Sequence, residues 1–241
     1  MEVAAGGDDL AVAALRAALP DREMRSYPAA LSTHAHALAW ARAGADEGSV
    51  VVADYQASPR GRAGLVWQVR PGEGLGFSLV LRPGLPVERE GWLYTVAVSG
   101  IADVASDGAA VTWPDEVHAG PGRVGAVGVH AELGPRGVDW AVVTVLLDQA
   151  LPPRAPLLAS VVAAVERRGA EQPDALLTDY RARCQTLGRH VRARMIPLGP
   201  SGPQVEGQAV DCLADGALLI AAASGARVAV LPHHLGVLEE L

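Results

Sequence analysis

Apolar positions recur at helical spacing over residues 11–18, a run closed by Pro20, and again over 34–44, where Ser32-Thr33 offers a hydroxyl N-cap and Gly44 a stop. The run Ser49-Val50-Val51-Val52-Ala53 reads as a buried strand, and so does Phe77-Ser78-Leu79-Val80-Leu81, closed by Arg82-Pro83-Gly84. Between them, residues 56–76 hold seven glycines and prolines and three arginines, the composition of a loop. Residues 92–104 suit a buried helix, although their β-branched side chains leave a strand open. Three strands follow over 108–117, 123–132 and 138–147, with turns at 120–122 and 134–137, and then helices over 155–168 and 174–187. From Arg189 the texture changes to short, closely spaced strands over 190–196, 204–210, 217–222 and 228–231, which predicts a small β-barrel. The pattern divides the chain into an α+β unit over 1–187 and an appended barrel over 188–241, a piece small enough to need docking on the larger unit.

Composition narrows the function classes. The chain of 241 residues is 50% apolar and 20% charged, the profile of a soluble globular protein. No apolar run reaches the roughly 18 residues of a bilayer span, so no membrane partner is expected. Residues 1–9 are acidic rather than basic-then-apolar, so a cytoplasmic location is expected. A net charge of −7 argues against a nucleic-acid surface, which needs clustered positive charge. All twenty basic residues are arginine, so any positive group in a site is a guanidinium, a protonated histidine or the N-terminus. Cys184 and Cys212 form no metal motif and read as reduced packing residues.

Other constellations are weak. His34 and His36 lie two apart and share no helix face, so they make no zinc pair; His233-His234 lacks a third ligand. No metal site is expected. Gly122-x-x-Gly125-x-x-Gly128 lies in strand-like sequence and opens no helix, unlike a dinucleotide fingerprint.

The order of motifs carries more. Ser32-Thr33-His34 is followed by Gly48-Ser49-Val50-Val51-Val52-Ala53 and Gln56, then by Pro59-Arg60-Gly61-Arg62-Ala63-Gly64-Leu65-Val66-Trp67. Next come Phe77 to Pro83, Thr112-Trp113-Pro114-Asp115-Glu116-Val117, Arg123-Val124-Gly125-Ala126-Val127, and a closing region with Glu206-Gly207 and Asp215-Gly216. Over residues 25–240 this order resembles the biotin protein ligase family, with its S-T-N helix start, G-T-V-V-V-A strand, G-R-G-R-x-G-R-x-W loop and K-W-P-N-D motif. The resemblance implies a class II synthetase-like mixed β-sheet with packed helices, followed by an SH3-like barrel, without the N-terminal DNA-binding domain of some members. It also implies a reaction: biotin and ATP with Mg²⁺ give biotinyl-adenylate, and biotin passes to a lysine of an acceptor protein. The ligand-binding residues so implied are Ser32, Thr33, His34, Gln56, Arg60, Gly61, Arg62, Trp67 and Trp113. Arg62 and Arg123 take the catalytic positions, and Thr112, Asp115 and Glu116 the nucleotide and magnesium side.

The departures fall on that chemistry. Joining a carboxylate to a triphosphate needs positive groups and N–H donors. Here Thr112 stands where the family has a lysine and Asp115 where it has an asparagine, a local change of two negative units. Each misplaced unit charge costs about 4 kcal/mol at 4 Å from a phosphate for an effective dielectric near 20. Arg123 keeps the second lysine's charge with a bulkier group. Pro59 removes an N–H from the loop, His34 replaces asparagine, Leu65 replaces arginine, and Val145-Leu146-Leu147 ends a strand without the family's asparagine. Three readings follow: a non-ligating relative that binds a biotin-like small molecule or a partner protein, an active biotin ligase, and an acyl or amide ligase of altered substrate.

Overall fold

Strand β2 (Val50–Gln56) is buried through its valines because it lies between two helical layers. Val50 and Val52 face the main core, whereas Val51 packs with Ala37 and Ala41 of helix α2 (Thr33–Arg42). The computed structural model, which describes residues 8–62, 67, 71–106, 108–148, 150 and 153–241, places this strand in a seven-stranded sheet. Its order is β1 (Met24–Ala30), β2, β3 (Leu75–Leu81), β7 (Gly137–Leu147), β6 (Gly122–Gly134), β5 (Glu116–Ala119) and β4 (Ala110–Thr112). Only β1 and β2 pair in parallel; the other neighbours are antiparallel. Helices α3 (Trp92–Ala105) and α4 (Arg154–Gly169) pack together against the face opposite α2, with α1 (Val12–Ala18) and α5 (Pro173–Arg183) at their flanks. No helix of the described residues is long and apolar enough to cross a membrane.

A second, five-stranded antiparallel sheet has the order β11 (Arg227–Val230), β10 (Leu218–Ala222), β9 (Gln204–Cys212), β8 (His190–Met195), β12 (Leu235–Glu240). This order leaves β11 and β12 as edges, so hydrogen bonding among the described residues does not close the expected barrel. Trp113 Nε1 donates to Gly216 O at 2.9 Å and links this sheet to the larger one. Gly216 has φ +86°, and a Cβ there would stand 2.3 Å from Gly91 O, so only glycine fits this contact.

Three expectations are corrected, and two strands stand outside them. Residues 108–117 are not one strand but β4 and part of β5, separated by the turn at Trp113-Pro114. The helix expected to Leu187 ends at Arg183, where Cys184 turns extended and bridges Val111. Strand β1 escaped notice because Pro28 interrupts its pattern, and β12 because Leu235–Glu240 lacks alternation. Ser32 has the extended N-cap backbone of α2, yet its hydroxyl makes no cap bond.

Candidate functional site

The side chains that converge at the start of α2 all come from one face of the sheet. Ser78 on β3 and Thr144 on β7 are register partners, and Gly76 and Leu146 form the next pair on that face. Gln56 ends β2 beside them, and its Oε1 accepts from Thr33 N at 2.8 Å and Thr33 Oγ1 at 3.2 Å. Gln56 thereby satisfies a helix N–H that Ser32 leaves open.

Counting protons orders the rest, since each hydroxyl has one to give. Thr33 Oγ1 spends its own on Gln56, and Ser78 Oγ donates to Thr33 Oγ1 at 3.0 Å. Thr144 Oγ1 must therefore donate to Ser78 Oγ at 2.9 Å and accept from His34 Nδ1 at 3.1 Å. His34 is assigned as the Nδ1–H tautomer, with Nε2 left as an acceptor. Burial, then the neighbouring charges of His130 and Arg60, hold its pKa down to about 4, so the ring is neutral near pH 7. The amide end of this chain is open: Gln56 is 8% exposed, and its Nε2 is buried with no partner among the described residues. A Cβ on Gly76 would lie 2.2 Å from that nitrogen. Ser32 Oγ is another buried group with no partner among the described residues. Such groups are costly without a partner, and a ligand's polar atom would satisfy them.

The glycine-rich loop crosses the same face. A Cβ on Gly128 of β6 would meet Gly61 C at 2.9 Å, and one on Gly61 would meet Trp67 Nε1 at 2.5 Å, so loop, strand and indole touch through two glycines. Residues 63–66, including the departure at Leu65, lie outside the described residues. The sequence grouped Arg60 with Arg62, but the fold separates them. Arg60 is exposed and its charge is felt at His34. Arg62 is 6% exposed and donates to Leu235 O at 2.5 Å, while its Nε stands 3.1 Å from Asp115 Oδ1, an ion pair with poor hydrogen-bond alignment. Trp113, expected at the ligand, is buried, donates to Gly216 O, and also lines the cleft that lies beyond the loop.

Beyond the loop lies a cleft of about 370 Å³ lined by Arg62, Trp67, Thr112, Asp115, Glu116 and Arg123, with β12 as its far wall. Arg123 lies 3.8 Å above the Trp67 ring and pairs with Glu116 Oε1 at 3.0 Å and Asp148 Oδ2 at 3.3 Å. Burial pushes the Asp115 carboxyl up to about 6 against the opposing charge of Arg62. A raised carboxyl pKa means that the folded state keeps a proton which the unfolded chain has released. That contribution to stability is whole below 3.8 and is lost as pH rises through about 6. His34 acts in the opposite sense, losing stability as pH falls from 6.5 toward about 4, but it is common to wild type and an Asp115→Asn variant. Across this window the melting temperature of wild type therefore falls relative to Asp115→Asn as pH rises; a constant gap in paired thermal melts contradicts the assignment.

Ser78 and Thr144 were missed from sequence. The available signal was a lone hydroxyl in each of two apolar strands, Phe77-Ser78-Leu79 and Val143-Thr144-Val145.

No protein-family model matches the chain. Its fold is shared by the biotin protein ligase of Aquifex aeolicus in complex with biotin and ATP, with a TM-score of 0.70 and 19% identity over 91% of this chain and 99% of that one. A biotin protein ligase-like protein of unknown function from Silicibacter is also similar, with a TM-score of 0.64 and 15% identity over 88% and 95% of the two chains. The biotin–[acetyl-CoA-carboxylase] ligase of Mycobacterium tuberculosis is 31% identical over 206 residues, 75% of this chain and 76% of that protein. With that identity across most of both sequences, the chain belongs to the biotin protein ligase family.

Proposed function

We propose that this chain is a non-ligating member of its family, which holds a small molecule with a biotin-like urea or amide edge but does not activate it with ATP. One observation carries the reading: among the described residues, both arginines that line the cleft, Arg62 and Arg123, are already paired with carboxylates. Asp115, Glu116 and Asp148 face them, and Glu240 adds a further acid to the lining. A triphosphate entering here meets more negative than positive charge and must displace an ion pair for each contact. The donor set fits Mg²⁺ poorly for the same reason, since Asp115 and Glu116 each face an arginine rather than an open position. The unpartnered Gln56 amide, by contrast, fits a neutral carbonyl acceptor.

The second reading is an active ligase in which Arg123, Arg62 and Mg²⁺ offset the lysine lost at Thr112, and the identity to the Mycobacterium ligase favours it. Titration calorimetry separates the two. The expected result is biotin uptake whose affinity ATP–Mg²⁺ leaves unchanged, with no heat from ATP–Mg²⁺ alone. Thr112→Lys, Asp115→Asn and Arg123→Lys together then bring nucleotide binding back. Biotin affinity that tightens with ATP–Mg²⁺ in the unaltered chain supports the second reading.

A further inference from the structure

A larger cavity, about 410 Å³, lies on the opposite side of the sheet from the Gln56 array, between the end of β3, the start of α3 and the end of α4. Its volume falls within the roughly 300–1,000 Å³ of small-molecule sites. Leu81, Leu85, Trp92, Val96 and Val165 make the lining predominantly apolar. Its charged rim is unevenly paired. Of the three acids in the lining, exposed Glu47 has no ion pair among the described residues, whereas Glu166 is engaged by Arg22 at 2.5 Å and Glu171 by Arg168 at 3.0 Å, so these two are neutralised. Arg89, also in the lining, is not: it donates through Nε to Ala214 O at 3.1 Å, and its Nη2 is buried with no partner among the described residues. Its guanidinium sits 5.2 Å from the centroid of the Trp92 ring, which helps to hold it against the wall. Arg82, a second lining cation, gives Nη2 to Ala45 O at 2.9 Å and has no ion pair among the described residues. A buried guanidinium N–H without an acceptor beside an apolar hollow suits one kind of guest, a carboxylate on an apolar body.

We propose that this cavity is a second small-molecule site, which takes an aliphatic monocarboxylate with its carboxylate on Arg89 Nη2 and its chain along Trp92, Val96 and Val165. The site is separate from the Gln56 array, and its occupancy does not depend on what that array binds.

Gly169 of α4 supplies a clean probe, because a Cβ there meets only Val96 Cγ1, at an ordinary 3.7 Å. Gly169→Leu fills the hollow without straining the helix and improves its helix propensity. Octanoate and octanol, titrated calorimetrically into the full-length protein, test the proposal. The expected result is saturable octanoate binding, at least tenfold tighter than octanol, weakened at least tenfold by Arg89→Gln and abolished by Gly169→Leu. Gly76→Ala, which disturbs only the Gln56 array, leaves octanoate affinity unchanged. The proposal is overturned by no saturable octanoate binding, by octanol binding as tightly, or by octanoate binding that survives Gly169→Leu. It is equally overturned if Gly76→Ala is the variant that removes octanoate, which would place the acid in the array instead.

Discussion

Arg154→Met lowers the stability of this protein by about 3–5 kcal/mol, the cost of removing one partner from a buried ion pair. Arg154 is 0% exposed, the least exposed charged side chain among the described residues. Its Nη2 pairs with Asp9 Oδ1 at 2.7 Å, its Nη1 with Asp54 Oδ1 at 2.6 Å, and Nη1 also donates to Gly74 O at 3.1 Å. Asp54 in turn accepts from Gly72 N at 3.1 Å. One guanidinium thus ties the segment before α1, the end of β2 and the turn after the glycine-rich loop. Methionine fills the volume and leaves two carboxylates facing each other in a half-buried space. Urea denaturation of wild type and variant checks the value. Adding Asp9→Asn and Asp54→Asn to the methionine variant recovers part of the loss, because the stranded charges are then gone. A change below about 1 kcal/mol, within the range of ordinary surface substitutions, contradicts this account.

Gly76→Ala weakens ligand binding at the array while leaving the fold in place. The new methyl group would sit 2.2 Å from Gln56 Nε2 and 3.2 Å from Leu146 Cδ2, and the amide is the part free to move. For Gln56 to yield, its Oε1 must leave Thr33 N and Oγ1, which ends the ordered chain that runs back to His34. Losing one well-placed buried donor costs about 1–3 kcal/mol, which corresponds to roughly 5- to 150-fold in affinity. Biotin titrations of Gly76→Ala beside Gly122→Ala measure the effect. Gly122 has open space at its Cβ and an ordinary φ, so its alanine variant keeps wild-type affinity. Equal affinities for both variants place the ligand away from Gln56.

How much of this was legible in the sequence depends on the range of each interaction. Central strands showed themselves through runs such as Val50-Val51-Val52, because burial on both faces leaves no room for polar residues. Edge strands did not: β1 pairs on one side only and tolerates Pro28, and β12 carries two glutamates. Thr33, Gln56 and His34 were found through their motifs, and the fold does bring them together. Their partners Ser78 and Thr144 come from strands far apart in sequence, and only the register of β3 with β7 reveals them. The charge changes at Thr112 and Asp115 were visible, but not their consequence. That Asp115 is buried against Arg62, and that Arg62 reaches a carbonyl of β12, depends on how the second sheet docks. No local pattern encodes that contact.

Pyrophosphate release from biotin and ATP–Mg²⁺ by the unaltered chain tests the central claim most directly, because adenylation cannot proceed without it. With both arginines of the cleft lining among the described residues held by carboxylates, the expected result is no biotin-dependent release above the rate without protein. Biotin-dependent release at the turnover of an authentic biotin ligase assayed alongside would contradict it, and would mean that the Arg62–Asp115 and Arg123–Glu116 pairs open to admit the nucleotide.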